Sequence, residues 1–156
     1  MSFPVRTLQA VLPLPPNDVQ IIVSVFSDRV LVAITQTGRL ATLLKVQRDD
    51  RASGEVPPSL NPDASSSHHP TFDVDPLLGA PTRGHVAHVY ARGVGEVVCE
   101  ALGRQTVTLV SVSLKDERPE VYRRVLSTLR ELLSGKPPAP GEQPHTAPAQ
   151  SVTAGA

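Results

Sequence analysis

The chain has 156 residues, with 15 Lys and Arg against 15 Asp and Glu, so its formal net charge is zero. This length favours one domain, the charge balance argues against a nucleic-acid binder, and the single Cys excludes an internal disulfide. No apolar run approaches the roughly 18 residues of a membrane span and no signal-peptide pattern is seen, so we expect a soluble protein of the cytoplasm or also the nucleus.

Proline residues mark two segments that differ from the rest of the chain. Residues 136–156 hold five Pro and no Leu, Ile, Phe, Tyr or Trp. Such a segment buries too little apolar area to offset its ordering entropy, which predicts a disordered tail. Residues 47–71 are also rich in Pro and Ser and are interpreted as a flexible loop insertion. The prediction is a single domain over residues 1–135, followed by the tail.

The first part of the chain has the alternating or β-branched pattern of strands. Three Pro residues between positions 13 and 16 end the first run, since Pro cannot donate to a ladder. Ser27-Asp28 and Thr37-Gly38 are predicted to form two-residue hairpin turns, and Gly38 can take the positive φ that such turns need. The predicted strands lie at residues 5–12, 19–26, 29–36 and 39–46. Together they predict an antiparallel meander.

After the loop, helical and alternating patterns follow one another. Gly93 and Gly95 weaken the first helix by about 1 kcal/mol each relative to Ala, yet its apolar residues recur at steps of three and four. Pro119 suits the first turn of the closing helix, and Gly135 stands where a left-handed cap belongs. The predicted elements are a strand at 73–78, a helix at 85–101, a strand at 106–114 and a helix at 119–134. The fold class is therefore α+β, with an antiparallel sheet of about five to six strands and two amphipathic helices.

One strand is apolar on both of its faces. Residues 30–34 read VLVAI, and Ile22 and Leu43 add to the same pattern. Two helices cover roughly one face of such a sheet, so the other face or an edge needs cover. A partner subunit is the expected cover, and a self-contained two-layer fold or sandwich is the alternative.

The residues with chemical potential form no catalytic or metal-binding set. Cys99 has no His three or four positions away, so we expect an inert thiol. His85 and His88 have a usable spacing but lack the further ligands that a metal needs. Asp73 and Asp75 are expected to be solvated. Because phosphate-binding and nucleophile motifs are missing as well, the sequence predicts no enzyme, no cofactor and no metal.

A resemblance to a known family is carried by two colinear blocks. Residues 26–43 read FSDRVLVAITQTGRLATL, which resembles the proteasome assembly chaperone 3 family, where a Phe-Ser turn precedes an apolar strand, Thr-Gln-x-Gly-Lys/Arg and a strand with Thr-Leu. The second block matches the same family in the same order along the chain. The matching parts are Leu77-Leu78-Gly79, the run from His88 to Arg92, Lys115-Asp116 and a closing helix. The resemblance spans residues 6–133. The longer loop, the Pro-rich tail and the two helix glycines indicate a divergent member, for example of the fungal type.

The resemblance implies a non-enzymatic chaperone of 20S proteasome assembly. Such proteins pair with a related small subunit, chaperone 4 in that family, or with themselves as a homodimer. The dimer promotes α-ring assembly by binding α-subunits, including the fifth (α5), and leaves before the particle is complete. The alternatives are a small α+β interaction adaptor, for example in trafficking, and an enzyme built on Cys99 and His88.

Candidate partner contacts are exposed polar positions. They lie at the predicted hairpin tips and on the outer side of the closing helix. Turn geometry and a solvated helix face are the alternative explanations for them. The six candidates are Asp28, Thr37, Gly38, Arg39, Arg123 and Arg124.

Overall fold

A computed structural model describes residues 5–49, 71–79, 85–103 and 106–135. Its elements in chain order are β1 (Arg6–Leu12), β2 (Val19–Val25), β3 (Arg29–Thr35), β4 (Leu43–Arg48), β5 (Phe72–Leu78), α1 (Val86–Leu102), β6 (Val107–Ser113) and α2 (Pro119–Leu133). The strands form one six-stranded sheet in the order β1-β2-β3-β6-β4-β5. The predicted α+β class with two helices is confirmed.

The sheet is mixed, which corrects the predicted antiparallel meander. β1, β2 and β3 pair antiparallel as expected, but β6 lies between β3 and β4 and runs parallel to β3. The reason is that α1 carries the chain back to the starting end of β3 before β6 begins, and parallel neighbours need such a crossover. Residues 36–42 instead pass across the end of β6, where the Thr42 hydroxyl donates to the Val112 carbonyl at 2.9 Å.

The strands on both sides of the loop extend further toward it than predicted, since β4 ends two residues later and β5 begins one residue earlier. β4 begins at Leu43 rather than at residue 39, and it continues to Arg48. The Asp49 amide then donates to the Thr71 carbonyl at 2.8 Å, so the ladder includes both ends of the predicted loop 47–71. The rest of that loop and the predicted tail 136–156 lie outside the described residues, and the single-domain boundaries stay a prediction.

Both helices lie within one residue of their predicted ranges, and each is followed by a glycine in the left-handed conformation. The His85 side chain accepts from the Ala87 amide at 3.2 Å at the start of α1, and Gly103 ends that helix with φ 57°. α2 begins at Pro119, and Gly135 behind it has φ 69°. Only glycine adopts these positive angles without strain, which is why the chain leaves each helix there. Among the described helices, none combines the length and the apolar character that crossing a membrane requires.

The hydrophobic core lies between the two helices and one face of the sheet. α1 packs on β4, β5 and β6, and α2 packs on β1 and β2. Every second residue of each central strand points into this layer, as strand geometry requires. The buried strand residues of the core include Val19, Ile21, Val23, Val30, Val32, Ile34, Leu44, Val46, Phe72 and Val110. The helices contribute Ala87, Tyr90, Ala91, Val94, Val97, Val98, Val121, Val125, Leu129 and Leu132.

The two glycines inside α1 allow close packing on both sides of the helix. A Cβ at Gly95 would lie 2.6 Å from the Val46 side chain and 3.4 Å from the Phe72 ring. A Cβ at Gly93 would overlap the Tyr122 hydroxyl, and the Tyr122 ring meets Tyr90 edge-on at 5.0 Å between centroids. Larger residues at these two positions would push α1 away from β4 and α2. This close packing explains why the helix contains two residues of low helix propensity.

Replacing Gly95 with Ala is expected to lower the free energy of unfolding by about 1–2 kcal/mol. Overpacking against Val46, a short β-branched side chain, costs about 1–3 kcal/mol, and the gain in helix propensity returns up to about 1 kcal/mol. Urea unfolding of both proteins measures the difference. Glu96→Ala, an exposed neighbour on the same helix, is the control and should change stability by less than about 0.5 kcal/mol. A Gly95→Ala protein more stable than wild type would contradict this, because it would show that α1 can shift away from Val46 at little cost.

Candidate interaction surface

Both described helices lie on the same face of the sheet, and no helix of the described residues lies on the other face. Because side chains alternate along a strand, the residues between the core positions point away from α1 and α2. We call this side the open face. It consists of Thr7, Gln9, Val11, Gln20, Ile22, Ser24, Arg29, Leu31, Ala33, Thr35, Lys45, Gln47, Asp73, Asp75, Val107, Leu109, Ser111 and Ser113.

The centre of the open face is apolar. Ile22, Leu31 and Leu109 are only half-buried, and they are not part of the cluster of hydrophobic residues under the helices. Leu31 is paired with Leu109 in the β3–β6 register, and Ala33 and Ser111 lie beside them with 7% and 1% of their surface exposed. No described element covers this area. Covering apolar surface gains about 25 cal/mol per Å², so the open face has the properties of a subunit interface.

The structure thus bears out the two-faced character predicted for residues 30–34. Val30, Val32 and Ile34 are buried under the helices, while Leu31 and Ala33 lie on the open face.

One margin of the open face is charged. Lys45 on β4 is paired with Asp75 on β5, and Gln47 is paired with Asp73. Asp73 and Asp75 are exposed, as the sequence predicts. The opposite margin, on β1, presents Thr7, Gln9 and Val11 and has no charge. The open face is therefore asymmetric, with a neutral edge and an edge that has two carboxylates and one ammonium group.

Gln36, in the turn after β3, ties three loops together at one end of the sheet. Its amide nitrogen donates to the Asn17 carbonyl at 3.0 Å. Its amide oxygen accepts from the backbone amides of Lys115 and Asp116 at 2.8 and 3.0 Å. The side chain thus joins the β1–β2 connection, the turn itself and the link from β6 to α2. We call this arrangement the Gln36 clamp.

The residues beside Gln36 fix the turn in the same way. The Thr35 hydroxyl accepts from the amides of Thr37 and Gly38 at 3.1 and 2.9 Å, and Gly38 has φ 69°. The hydroxyls of Thr37 and Ser113 are 2.6 Å apart. The Thr-Gln-x-Gly part of the motif is therefore explained by backbone geometry and loop packing. Sequence reasoning gave Gly38 a conformational role but missed the contacts of Gln36.

The six predicted contact residues do not meet in one place. Asp28 lies at the opposite end of the sheet from the Gln36 clamp and forms an ion pair with Arg29, whose hydrogen bond lowers the pKa of the Asp28 carboxyl. Thr37, Gly38 and Arg39 lie beside the clamp, and all three are exposed. Arg123 and Arg124 are exposed on α2, on the far side of the sheet from the open face. Their contact roles stay predictions.

The residues of the enzyme alternative do not form a catalytic pair in the described contacts. Cys99 is half-buried, and its sulfur lies 4.0 Å from an Arg48 nitrogen. His85 caps α1 through its ring nitrogen. Over residues 5–49, 71–79, 85–103 and 106–135, no group of three or more His, Cys, Asp or Glu side chains is placed to hold a metal. The open face is left as the surface with the clearest functional character.

Comparison with known proteins agrees with this description. The family model described as proteasome assembly chaperone 3 matches residues 32–132. A protein of the sea anemone Nematostella vectensis named "Proteasome assembly chaperone 3" is 30% identical over 111 residues, which cover 69% of this chain and 73% of that protein.

Among solved structures, a chain of a yeast complex shares the fold. That structure is titled "Crystal Structure of a Novel Chaperone Complex for Yeast 20S Proteasome Assembly". The match has a TM-score of 0.61 at 19% identity, and it covers 83% of this chain and 98% of the yeast chain. At this identity the similarity concerns the fold alone.

Proposed function

The chain belongs to the proteasome assembly chaperone 3 family, and on this premise we propose that it is one subunit of a dimeric chaperone that promotes assembly of the 20S proteasome α-ring. The proposed partner is a related small subunit, similar to chaperone 4, or a second copy of this chain. The sheet of that partner packs against the open face. The relative of known structure is part of a chaperone complex by its title, which supports the existence of a chaperone partner.

The open face is the observation that carries the proposal. Two sheets that pack face to face lie about 10 Å apart, with side chains of both inner faces forming a core. Leu31 and Leu109 are paired at the centre of the six-stranded sheet, where a second sheet buries them most deeply. The product is a four-layer particle with helices on both outer sides. This particle presents the helices and the strand ends to other proteins.

We infer that α-subunits, including the fifth (α5), bind to these outer surfaces. The chaperone dimer brings α-subunits together in the correct order and is displaced when a competing interface forms, before the particle is complete. The chaperone acts by binding other proteins and catalyses no reaction. We propose that this binding takes place in the cytoplasm and also in the nucleus, and that it involves neither nucleic acid nor membrane.

Affinity capture with mass spectrometry tests the proposal. The tagged full chain, expressed in its own cells, is expected to recover a related small subunit and α-subunits but few β-subunits, because the chaperone leaves early. A tag-only bait run in parallel gives the background. Recovery of neither a related subunit nor any α-subunit would contradict the proposal, and recovery of coat or tether proteins instead would favour the adaptor.

A further inference from the structure

We propose that one corner of the sheet is a second binding surface, which takes a segment of an α-subunit that carries large apolar side chains next to carboxylates. The corner, which we call the leucine corner, consists of Leu40, Leu77, Leu78, Arg39 and Lys115. This inference rests on the proposed function and names the part of the chain that holds the α-subunit.

The leucines of this corner are more exposed than the half-buried leucines at the centre of the open face. Leu40, Leu77 and Leu78 have 65%, 52% and 62% of their surface exposed. Single exposed apolar residues are common on protein surfaces, whereas contiguous ones mark interaction sites. Two of the three belong to Leu77-Leu78-Gly79, a matching part of the family resemblance that the open face does not explain.

Two segments of the chain meet at the leucine corner. Leu78 is paired with Leu43 at the last position of the β4–β5 ladder. Gly79 comes next with φ 63°, and a Cβ there would lie 2.7 Å from the Ala41 carbonyl oxygen. Only glycine fits both this angle and this contact. The segment that carries Leu40 therefore lies directly against the end of β5.

The backbone on both sides of Leu40 is held by hydrogen bonds. The Arg39 carbonyl accepts from the Thr35 hydroxyl at 3.3 Å. The Thr42 hydroxyl donates to the Val112 carbonyl at 2.9 Å. The leucine corner is thus a preformed surface, and such a surface loses less conformational entropy when a partner binds.

The cations at the leucine corner favour a partner with carboxylates. Arg39 directly precedes Leu40, and Lys115 follows β6, whose end residues 36–42 cross. Both basic side chains are exposed, and no described residue forms an ion pair with either of them. An apolar patch beside two such cations is complementary to apolar side chains that have acids next to them.

The acids at this end of the sheet leave the two cations available. They are Asp18, Asp75, Asp116 and Glu117. Asp116 is bound by Arg118 through both carboxylate oxygens, and Asp75 has Lys45 opposite it on β4. Asp18 lies in the β1–β2 connection, and Glu117 lies in the link to α2, which packs on β1 and β2. Both are therefore directed away from β4 and β5.

The position of the leucine corner leaves it accessible in the proposed dimer. A second sheet on the open face is centred on Leu31 and Leu109, which are in the middle strands β3 and β6. The leucine corner lies instead at the end of the edge strand β5 and in the segment before β4. The ends of strands and their loops are where a sheet scaffold commonly binds other proteins. An α-subunit can thus bind there while the related subunit is in place.

Binding of isolated proteasome α-subunits, α5 among them, to the purified dimer of the full chain tests the inference. The variant Leu40→Ser, Leu77→Ser changes two side chains that are more than half exposed, so it should fold and keep its partner subunit. We expect it to bind the α-subunit at least about tenfold more weakly than wild type. The variant Arg39→Gln, Lys115→Gln should bind more slowly and lose most of the salt dependence of binding. Biolayer interferometry at two salt concentrations measures both effects.

Matched controls and three outcomes decide the result. Val89→Ser and Arg92→Gln change one apolar and one basic exposed residue of α1, and both should bind as wild type does. If the leucine variant also binds as wild type does, this inference is wrong and the proposed function stands. If the leucine variant loses its partner subunit, the corner belongs to the dimer interface and the inference is wrong as well. If the wild-type dimer binds no α-subunit, the proposed function itself fails, and this inference fails with it.

Discussion

Glutamate at both Leu31 and Leu109 is expected to remove the related subunit and the α-subunits from the proteins captured with this chain. The two leucines are paired at the centre of the open face, so a second sheet would enclose both new carboxylates without a partner. An uncompensated buried charge costs about 3–5 kcal/mol, which corresponds to a loss of affinity of more than about 100-fold. Quantitative mass spectrometry of material captured with wild type and variant measures the loss.

The isolated variant should stay folded, because both leucines are half-buried in the free chain and a glutamate head there reaches water. Circular dichroism and a thermal melt verify this point. Val89→Glu is the matched control, since Val89 is an apolar residue 51% exposed on α1, away from the open face. Equal capture by wild type and the Leu31→Glu, Leu109→Glu variant would contradict the open face as the interface. Equal loss with Val89→Glu would point to the helices instead.

The local patterns of the sequence predicted the elements of the fold but not their order in the sheet. Strand alternation and helical spacing are properties of neighbouring residues, and they located all six strands and both helices to within a few positions. Insertion of β6 between β3 and β4 depends on contacts between residues about 80 positions apart. A turn such as residues 36–39 ends a strand in the same way whether the next strand pairs with that strand or lies elsewhere in the sheet. The turn therefore did not reveal that the predicted meander was wrong.

The candidate surface could be predicted in its character but not in its members. The run of residues 30–34 is apolar on both faces, and this alone indicates an uncovered side. Leu109 joins Leu31 only through the β6 register, and Lys45 lies opposite Asp75 only because β5 pairs with β4. The glycines of α1 were interpreted as weak points of a helix, since a sequence does not reveal that Val46 and Tyr122 occupy the space next to them.

The Thr-Gln-x-Gly motif illustrates how a recognisable sequence differs from a binding site. The motif carries part of the resemblance to the family, and the residues at its tip were predicted to contact a partner. In the structure Gln36 makes three hydrogen bonds to the backbone of two other loops, and Thr35 holds the amides of the turn. A residue that shapes three loops at once constrains the sequence as strongly as one that touches a partner.

Replacing Gln36 with Ala is expected to lower the free energy of unfolding by about 1–3 kcal/mol, since an amide or carbonyl left without a partner costs about that much. The Lys115 and Asp116 amides lose their acceptor, and the Asn17 carbonyl loses its donor. Gln36→Glu keeps the acceptor and loses only the donor, so its stability should lie between those of wild type and Gln36→Ala. Urea unfolding of the three proteins gives the order.

Hydrogen exchange distinguishes the clamp from a general loss of stability. In Gln36→Ala the amides of Lys115 and Asp116 should exchange faster at once, because they are released locally, while core amides follow the global free energy of unfolding. Arg39→Ala changes an exposed residue of the same turn and should alter stability by less than about 0.5 kcal/mol. If Gln36→Ala were as stable as Arg39→Ala but failed to capture the related subunit or the α-subunits, the motif would serve partner contact rather than the fold. If it were less stable and still captured them, the clamp would be the reason for the motif.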